Sequence, residues 1–148
     1  MFTSILCPVD FSTHSERALS LAMDLAAQTG AHLTILTVVD PLLAQAAQAA
    51  GRGNAVTAQT QDALQSLLGR VTKVRGRLPE APGISVAVGD AAQEILKQSA
   101  DCRADLIVMG TQGLEGPRRF VFGSTTERVL RESLVPVLAV PAPPDSTS

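Results

Sequence analysis

The sequence predicts an α/β domain: a doubly wound, five-stranded parallel sheet with helices on both faces. Three observations predict it. Five short apolar runs rich in Val, Ile and Leu alternate with segments of helical periodicity. The first two runs and the helical stripe between them make a β-α-β unit within the first 40 residues, which argues for a right-handed crossover and a parallel pair. Hydrophobic residues are 45% of the 148, yet aromatics are 3% and Trp and Tyr are absent, so the core between strands and helices must be aliphatic.

Each element has its own signals. The first strand runs from Thr3 to Val9, ahead of Asp10 and a Ser/Thr cluster. Thr13 and Glu16 stand in capping-box spacing, Ala18, Leu21, Ala22, Leu25 and Ala26 form a helical stripe, and Gly30 supplies the stop. His32 to Val39 is a β-branched run that ends at Asp40-Pro41. The Ala/Gln-rich stretch from Leu42 to Ala50 predicts a short helix or an ordered loop, and Gly51 to Asn54 a flexible break. Leu64, Leu67, Leu68 and Val71 mark one face of a long helix over 56–78, ended by Pro79, Pro82 and Gly83. Ile84 to Val88 is the third strand, and Asp90 reads as the N-cap of a helix over 91–100, with Gln93 completing the box. Asp105 to Met109 is the fourth strand. A helix over 125–133 follows, with Ser124 and Glu127 in capping-box spacing, and Pro136 to Val140 is the fifth strand. A single domain is expected over 1–141, and a flexible Pro/Ser-rich tail over 142–148.

Composition excludes several classes of function. Net charge is −2, the basic residues are scattered, and no aromatic platform exists for stacking bases, so a nucleic-acid surface is not expected. No apolar run approaches the roughly 20 residues of a membrane span. Cys7 and Cys102 match neither a disulfide framework nor a zinc pattern, which suits a reduced, cytoplasmic protein. Neither His14 nor His32 has partners spaced for metal or a triad, so no catalytic side chain and no protein-held metal are expected.

The chemistry concentrates in Gly110-Thr111-Gln112-Gly113, followed by Gly123-Ser124-Thr125. A buried strand, a glycine-bounded loop and a helix start bearing hydroxyls form a physical recipe for holding phosphate, because glycine admits close backbone approach and the helix dipole favours negative charge. Neither the P-loop nor the Rossmann fingerprint occurs. In doubly wound sheets ligands sit beyond the carboxyl ends of the strands, at the point where winding reverses. If the first and fourth strands are neighbours, Asp10 and Gly110 lie side by side there. Asp10 then either contacts a ligand or closes the turn into the next helix, and Arg118 and Arg119 either clamp phosphates or belong to a solvated loop. Ser124 serves equally as an N-cap and as a phosphate contact, since both use the same free N–H groups.

These residues resemble the universal stress protein family over nearly the whole chain. The likeness is carried by Ile5–Ser12 leading into Ser15–Leu19, by Val88-Gly-Asp90, by Asp105–Thr111, by Gly123-Ser124-Thr125 and by Pro136–Val140. The spacing G-x2-G-x9-G-[ST] is similar to that of the branch that binds ATP. The resemblance implies a sheet order of 3-2-1-4-5, of the adenine-nucleotide α-hydrolase type, and a homodimer joined through the fifth strand, Val137–Val140. It also implies that Asp10 and the backbone around Val38 and Val39 hold adenine and ribose, with Pro8, Val9 and Met109 alongside. Gly110 would face the ribose, while Gly113, Gly123, Ser124 and Thr125 would hold phosphates, and Arg119 is a further candidate there from its place in the loop. Gln112 stands where many members have His, so a contact there would be uncharged.

The expectation is therefore a cytoplasmic switch in stress response that binds ATP (or ADP or AMP), with Mg²⁺ or Mn²⁺ held by the phosphates and an unidentified protein partner reading its state. Two rivals use the same residues: a slow ATPase or phosphotransferase, for which no general base is evident, and a nucleotide-free dimerisation module whose loop is plugged by Phe120 and Phe122.

Overall fold

Strands β1 (Ser4–Pro8), β2 (His32–Val39), β3 (Gly83–Val88), β4 (Leu106–Gly110) and β5 (Val137–Val140) form one sheet in the order β3-β2-β1-β4-β5. Every pairing is parallel, with Ile5 set between Leu33 and Leu106 in the centre. Helices α1 (Thr13–Thr29), α2 (Pro41–Ala49), α3 (Gly53–Arg75), α4 (Ala91–Asp101) and α5 (Ser124–Glu132) complete the chain. The structure is a computed structural model that describes residues 1–112 and 122–142. Gly113, Arg118, Arg119, Phe120 and, apart from Ala142, the expected tail lie outside the described residues.

The alternation of strand side chains builds two aliphatic layers. Ile5, Cys7, Leu33, Ile35, Leu106 and Val108 face α1 and α3, where Leu19, Met23, Leu64, Leu67 and Val71 close the layer. Leu6, Leu36, Ile107 and Met109 point the other way, against Ala92 and Ile95 of α4 and Val129 of α5. The strand order puts Asp10 and Gly110 at the ends of neighbouring strands, β1 and β4.

Three boundaries differ from expectation for identifiable reasons. Helix α1 is capped by Ser12 rather than Thr13, because the Ser12 N–H donates to Asp10 Oδ1 (3.0 Å) and the Ser12 hydroxyl accepts from Ser15 N (3.2 Å). Helix α5 is capped by Gly123, with no side-chain hydrogen bond, so Ser124 is its first residue and the Ser124–Glu127 box does not form. Glu127 pairs instead with Arg131 at 2.9 Å. Helix α3 starts at Gly53 and ends at Arg75, three residues early at each end. The break that precedes it sits on Gly51 (φ 75°), and Gly76 (φ 90°) ends it.

Candidate functional site

The turn from β1 into α1 is locked by its own polar groups. Asp10 N–H donates to Ser15 Oγ (3.2 Å), and Ser15 Oγ–H donates to the Ser12 carbonyl (3.1 Å). With the Asp10–Ser12 bond, these contacts hold Phe11 in the left-handed region (φ 67°), a conformation a bulky residue keeps only where its surroundings over-determine it. Asp10 thus closes the turn and, being exposed, also presents a carboxylate at the strand end. Beside it, the Thr37 hydroxyl donates to the Val9 carbonyl (2.7 Å) and fixes β1 against β2.

The exit from β4 is equally constrained. Gly123 N–H donates to the Thr111 carbonyl (2.9 Å), so the chain leaves at Thr111 and returns at Gly123 through one closed pair. Thr126 Oγ1 donates to the Gly110 carbonyl (2.8 Å), pinning the first turn of α5 to the strand end. Because a glycine caps α5, its N-cap residue offers no side-chain oxygen to the N–H groups of the first turn, where the positive end of the helix dipole lies.

These turns surround a cleft of about 570 Å³ at the carboxyl ends of β1, β2 and β4, a volume typical of small-molecule sites. Of the residues the sequence pointed to, Pro8, Val9, Asp10, Val38, Met109, Gly110, Gln112, Gly123, Ser124 and Thr125 all line it. Val39 does not. It is one residue out of phase with Val38, its side chain is buried, and its carbonyl accepts from Gly89 N–H (3.1 Å). The cleft also takes Ser15, Leu36, Asp40, Ala91, Ile95 and Thr126, which sequence reasoning missed. Asp40 repeats at the end of β2 what Asp10 does after β1: its Oδ1 accepts from Leu42 N (2.7 Å) and caps α2. That shared strand–Asp–helix signal was the available clue.

The strand order gives the cleft a polarity. Asp40 and Asp10 follow β2 and β1, while the N-terminus of α5, with Ser124 and Thr125, belongs to the β4 side. Leu36, Val38, Ile95 and Met109 line the space between. Hydroxyl donors are favoured at the carboxylate end and an anion at the helix end, with an apolar body between them. Cys7, one residue before the cleft, offers no nucleophile, because complete burial pushes its thiol pKa far above the ordinary range. Among the described residues no group of three or more His, Cys, Asp or Glu converges to hold a metal.

A profile of the Universal stress protein family matches residues 1–141. The chain is 31% identical over 145 residues to the universal stress protein in the QAH/OAS sulfhydrylase 3′ region of Thermus aquaticus, covering 95% of this chain and 99% of that one. The solved structure of universal stress protein UspA from Lactobacillus plantarum is similar with a TM-score of 0.75 and 28% identity, covering 93% of this chain and 97% of that one. A universal stress protein crystallised in complex with cAMP shares the fold, with a TM-score of 0.72, 23% identity, and coverage of 96% and 98%.

Proposed function

The chain belongs to the universal stress protein family, and from that premise we propose that it binds an adenine nucleotide, with ATP, ADP and AMP as candidates, and acts as a nucleotide-dependent regulatory switch in stress response. The observation that carries the reading is the polarity of the cleft. A nucleotide has the matching sequence of chemistry: sugar hydroxyls that donate, a largely apolar base, and an anionic phosphate. In this reading Asp10 accepts from the ribose and Pro8, Val9, Val38 and Met109 pack against the base. Gly110 and Gln112 border the sugar–phosphate junction, and the N–H and hydroxyl groups of Gly123, Ser124 and Thr125 take phosphate. Gly113 and Arg119 would add to the phosphate end. The fold accommodates such ligands, since a universal stress protein of the same fold holds cAMP.

A divalent ion accompanying a triphosphate would ride on the phosphate oxygens, as the only carboxylates among the described lining residues, Asp10 and Asp40, follow β1 and β2 rather than β4. Among the described lining residues, those on the β4 side, Met109, Gly110, Gln112 and Gly123 to Thr126, include no carboxylate or imidazole to act as a general base, which accords with a switch rather than an ATPase. We further propose a homodimer across the edge strand β5, whose Leu138 is exposed, as are Leu130 at α5 and Leu134 in the segment leading to β5. Both described cysteines are free, which accords with a reducing, cytoplasmic setting, and no helix among the described residues is long and apolar enough to cross a membrane.

Calorimetric titration of AMP and adenosine into wild type and Ser124→Glu tests the site. A glutamate in the first turn of α5 favours the helix dipole, so the variant folds, yet its charge repels phosphate. AMP affinity is expected to fall at least about tenfold while adenosine affinity stays unchanged. Equal behaviour of the two ligands would remove phosphate from the α5 terminus.

A further inference from the structure

His14 stands in the first turn of α1, just outside the cleft lining, and the sequence gives it neither metal nor catalytic partners. Its surroundings are nonetheless specific. The backbone of His14 rests directly on the end of β4: a Cβ added to Gly110 would lie 2.7 Å from His14 Cβ and 2.8 Å from its carbonyl carbon. The ring of His14 reaches two further segments through one nitrogen. Ala142 N–H donates to Nδ1 (3.1 Å), and Thr111 Oγ1 lies 3.0 Å from the same atom. An amide N–H only donates, so Nδ1 carries its lone pair and the ring proton resides on Nε2; the Thr111 hydroxyl can then only donate, sharing that one lone pair with Ala142.

Thr111 is the branch point. Its N–H donates to the Val140 carbonyl at the end of β5 (3.1 Å), and its carbonyl accepts from Gly123, the N-cap of α5 (2.9 Å). Gln112, the next residue, is buried in the cleft lining. An unbroken hydrogen-bonded path therefore runs from Ala142 through His14 and Thr111 to Gly123 and the first turn of α5. Helix α1 does not require the imidazole for its own start, which Ser12 caps.

We propose that His14 is a positioning residue of the cleft. As the Nε2–H tautomer, it holds Thr111, and through it the Gly123 end of α5, at the height the ligand needs, and it ties that geometry to the segment following β5. The proposal rests on the nucleotide reading above. Substitution by Asn keeps an acceptor oxygen where Nδ1 stands, whereas Ala removes it.

Three readouts on the full chain test this: imidazole nitrogen NMR of wild type, amide exchange at Ala142, and AMP titration of wild type, His14→Asn and His14→Ala. The expected results are the Nε2–H tautomer, fast Ala142 exchange only in His14→Ala, and AMP affinity about tenfold weaker in His14→Ala but within about threefold of wild type in His14→Asn. An Nδ1–H tautomer, or Ala and Asn variants that bind AMP alike, overturns the role of His14 while leaving the nucleotide site standing. Failure of wild type itself to bind AMP overturns the nucleotide reading, and the coupling with it.

Discussion

Replacing Gly110 by alanine sets a methyl group where the first turn of α1 already stands. The new Cβ would meet His14 Cβ at 2.7 Å, the His14 carbonyl carbon at 2.8 Å and Ser15 N at 3.0 Å. Carbon atoms pack best at about 3.5–4.0 Å, so α1 must retreat by about 1 Å, and no rotamer change helps because the contacted atoms are backbone and Cβ. Overpacking of this kind costs about 1–3 kcal/mol. In a chain of this length 1 kcal/mol moves the midpoint by about 2–4 °C, so a cost of about 2 kcal/mol lowers Tm by about 4–8 °C. AMP affinity should fall as well, since the displaced turn carries Ser15, which accepts from Asp10 N–H at the cleft. Gly69→Ala is the control: it lies in α3 with nothing within 4 Å of its added Cβ, and should gain up to about 1 kcal/mol from helix propensity. Differential scanning calorimetry of both variants decides the matter. A Gly110→Ala midpoint within about 1 °C of wild type would show that α1 does not press on β4 as described.

Asp90→Ala removes the oxygen that accepts from Gln93 N (3.0 Å) and pairs with Arg128 (2.8 Å). The lost cap costs about 1 kcal/mol. The exposed pair adds little, so Arg128→Ala alone should barely move the thermal midpoint, and equal losses in the two variants would contradict this division. Asp105 accepts from Thr3 N (2.8 Å), Ser4 N (3.1 Å) and the Thr3 hydroxyl (3.0 Å). Desolvation works to raise its pKa, but these bonds outweigh it and hold the carboxyl below its ordinary range. A lowered folded-state pKa gives stability that is present above the unfolded value and lost as pH falls through the folded one. The midpoint gap between wild type and Asp105→Asn should therefore be widest near neutrality and narrow toward about pH 3; a constant gap would refute it. Leu138→Lys charges the exposed edge of β5, so sedimentation should show the proposed dimer for wild type and monomer for the variant, and equal masses for the two would contradict an interface across β5.

Strand identities were legible because parallel strands buried on both faces read as continuous apolar runs, and His32–Val39 matches its predicted span at both ends. Strand order was not, since periodicity says nothing about which strands adjoin; the family resemblance supplied it, and the pairing of β1 with both β2 and β4 agrees. The caps slipped by one residue for a related reason. Ser12 and Thr13 are both capping residue types, and the choice between them rests on where the Asp10 carboxylate folds back. At α5, Gly123 was read only as a phosphate-loop glycine, and its role as N-cap depends on the Thr111 contact that closes the loop. Most of the cleft was visible because its residues sit at strand ends beside glycines and aspartates. Leu36, Ala91 and Ile95 were not, because an apolar residue lining a cleft carries the same sequence signal as one in the core. Gly110 had a second reason to be glycine, the seat of His14, which only the packing of α1 on β4 reveals.

The small molecules released when freshly purified protein is denatured, identified by mass spectrometry beside those from Ser124→Glu, test the adenine-nucleotide assignment most directly. The cleft's polarity predicts an adenine nucleotide from wild type and none from a variant that folds as well but sets a negative charge at the start of α5. Nucleotide carried equally by both proteins would contradict the phosphate site. A wild type that releases none, and gives no heat on titration with ATP or AMP, would contradict the assignment altogether.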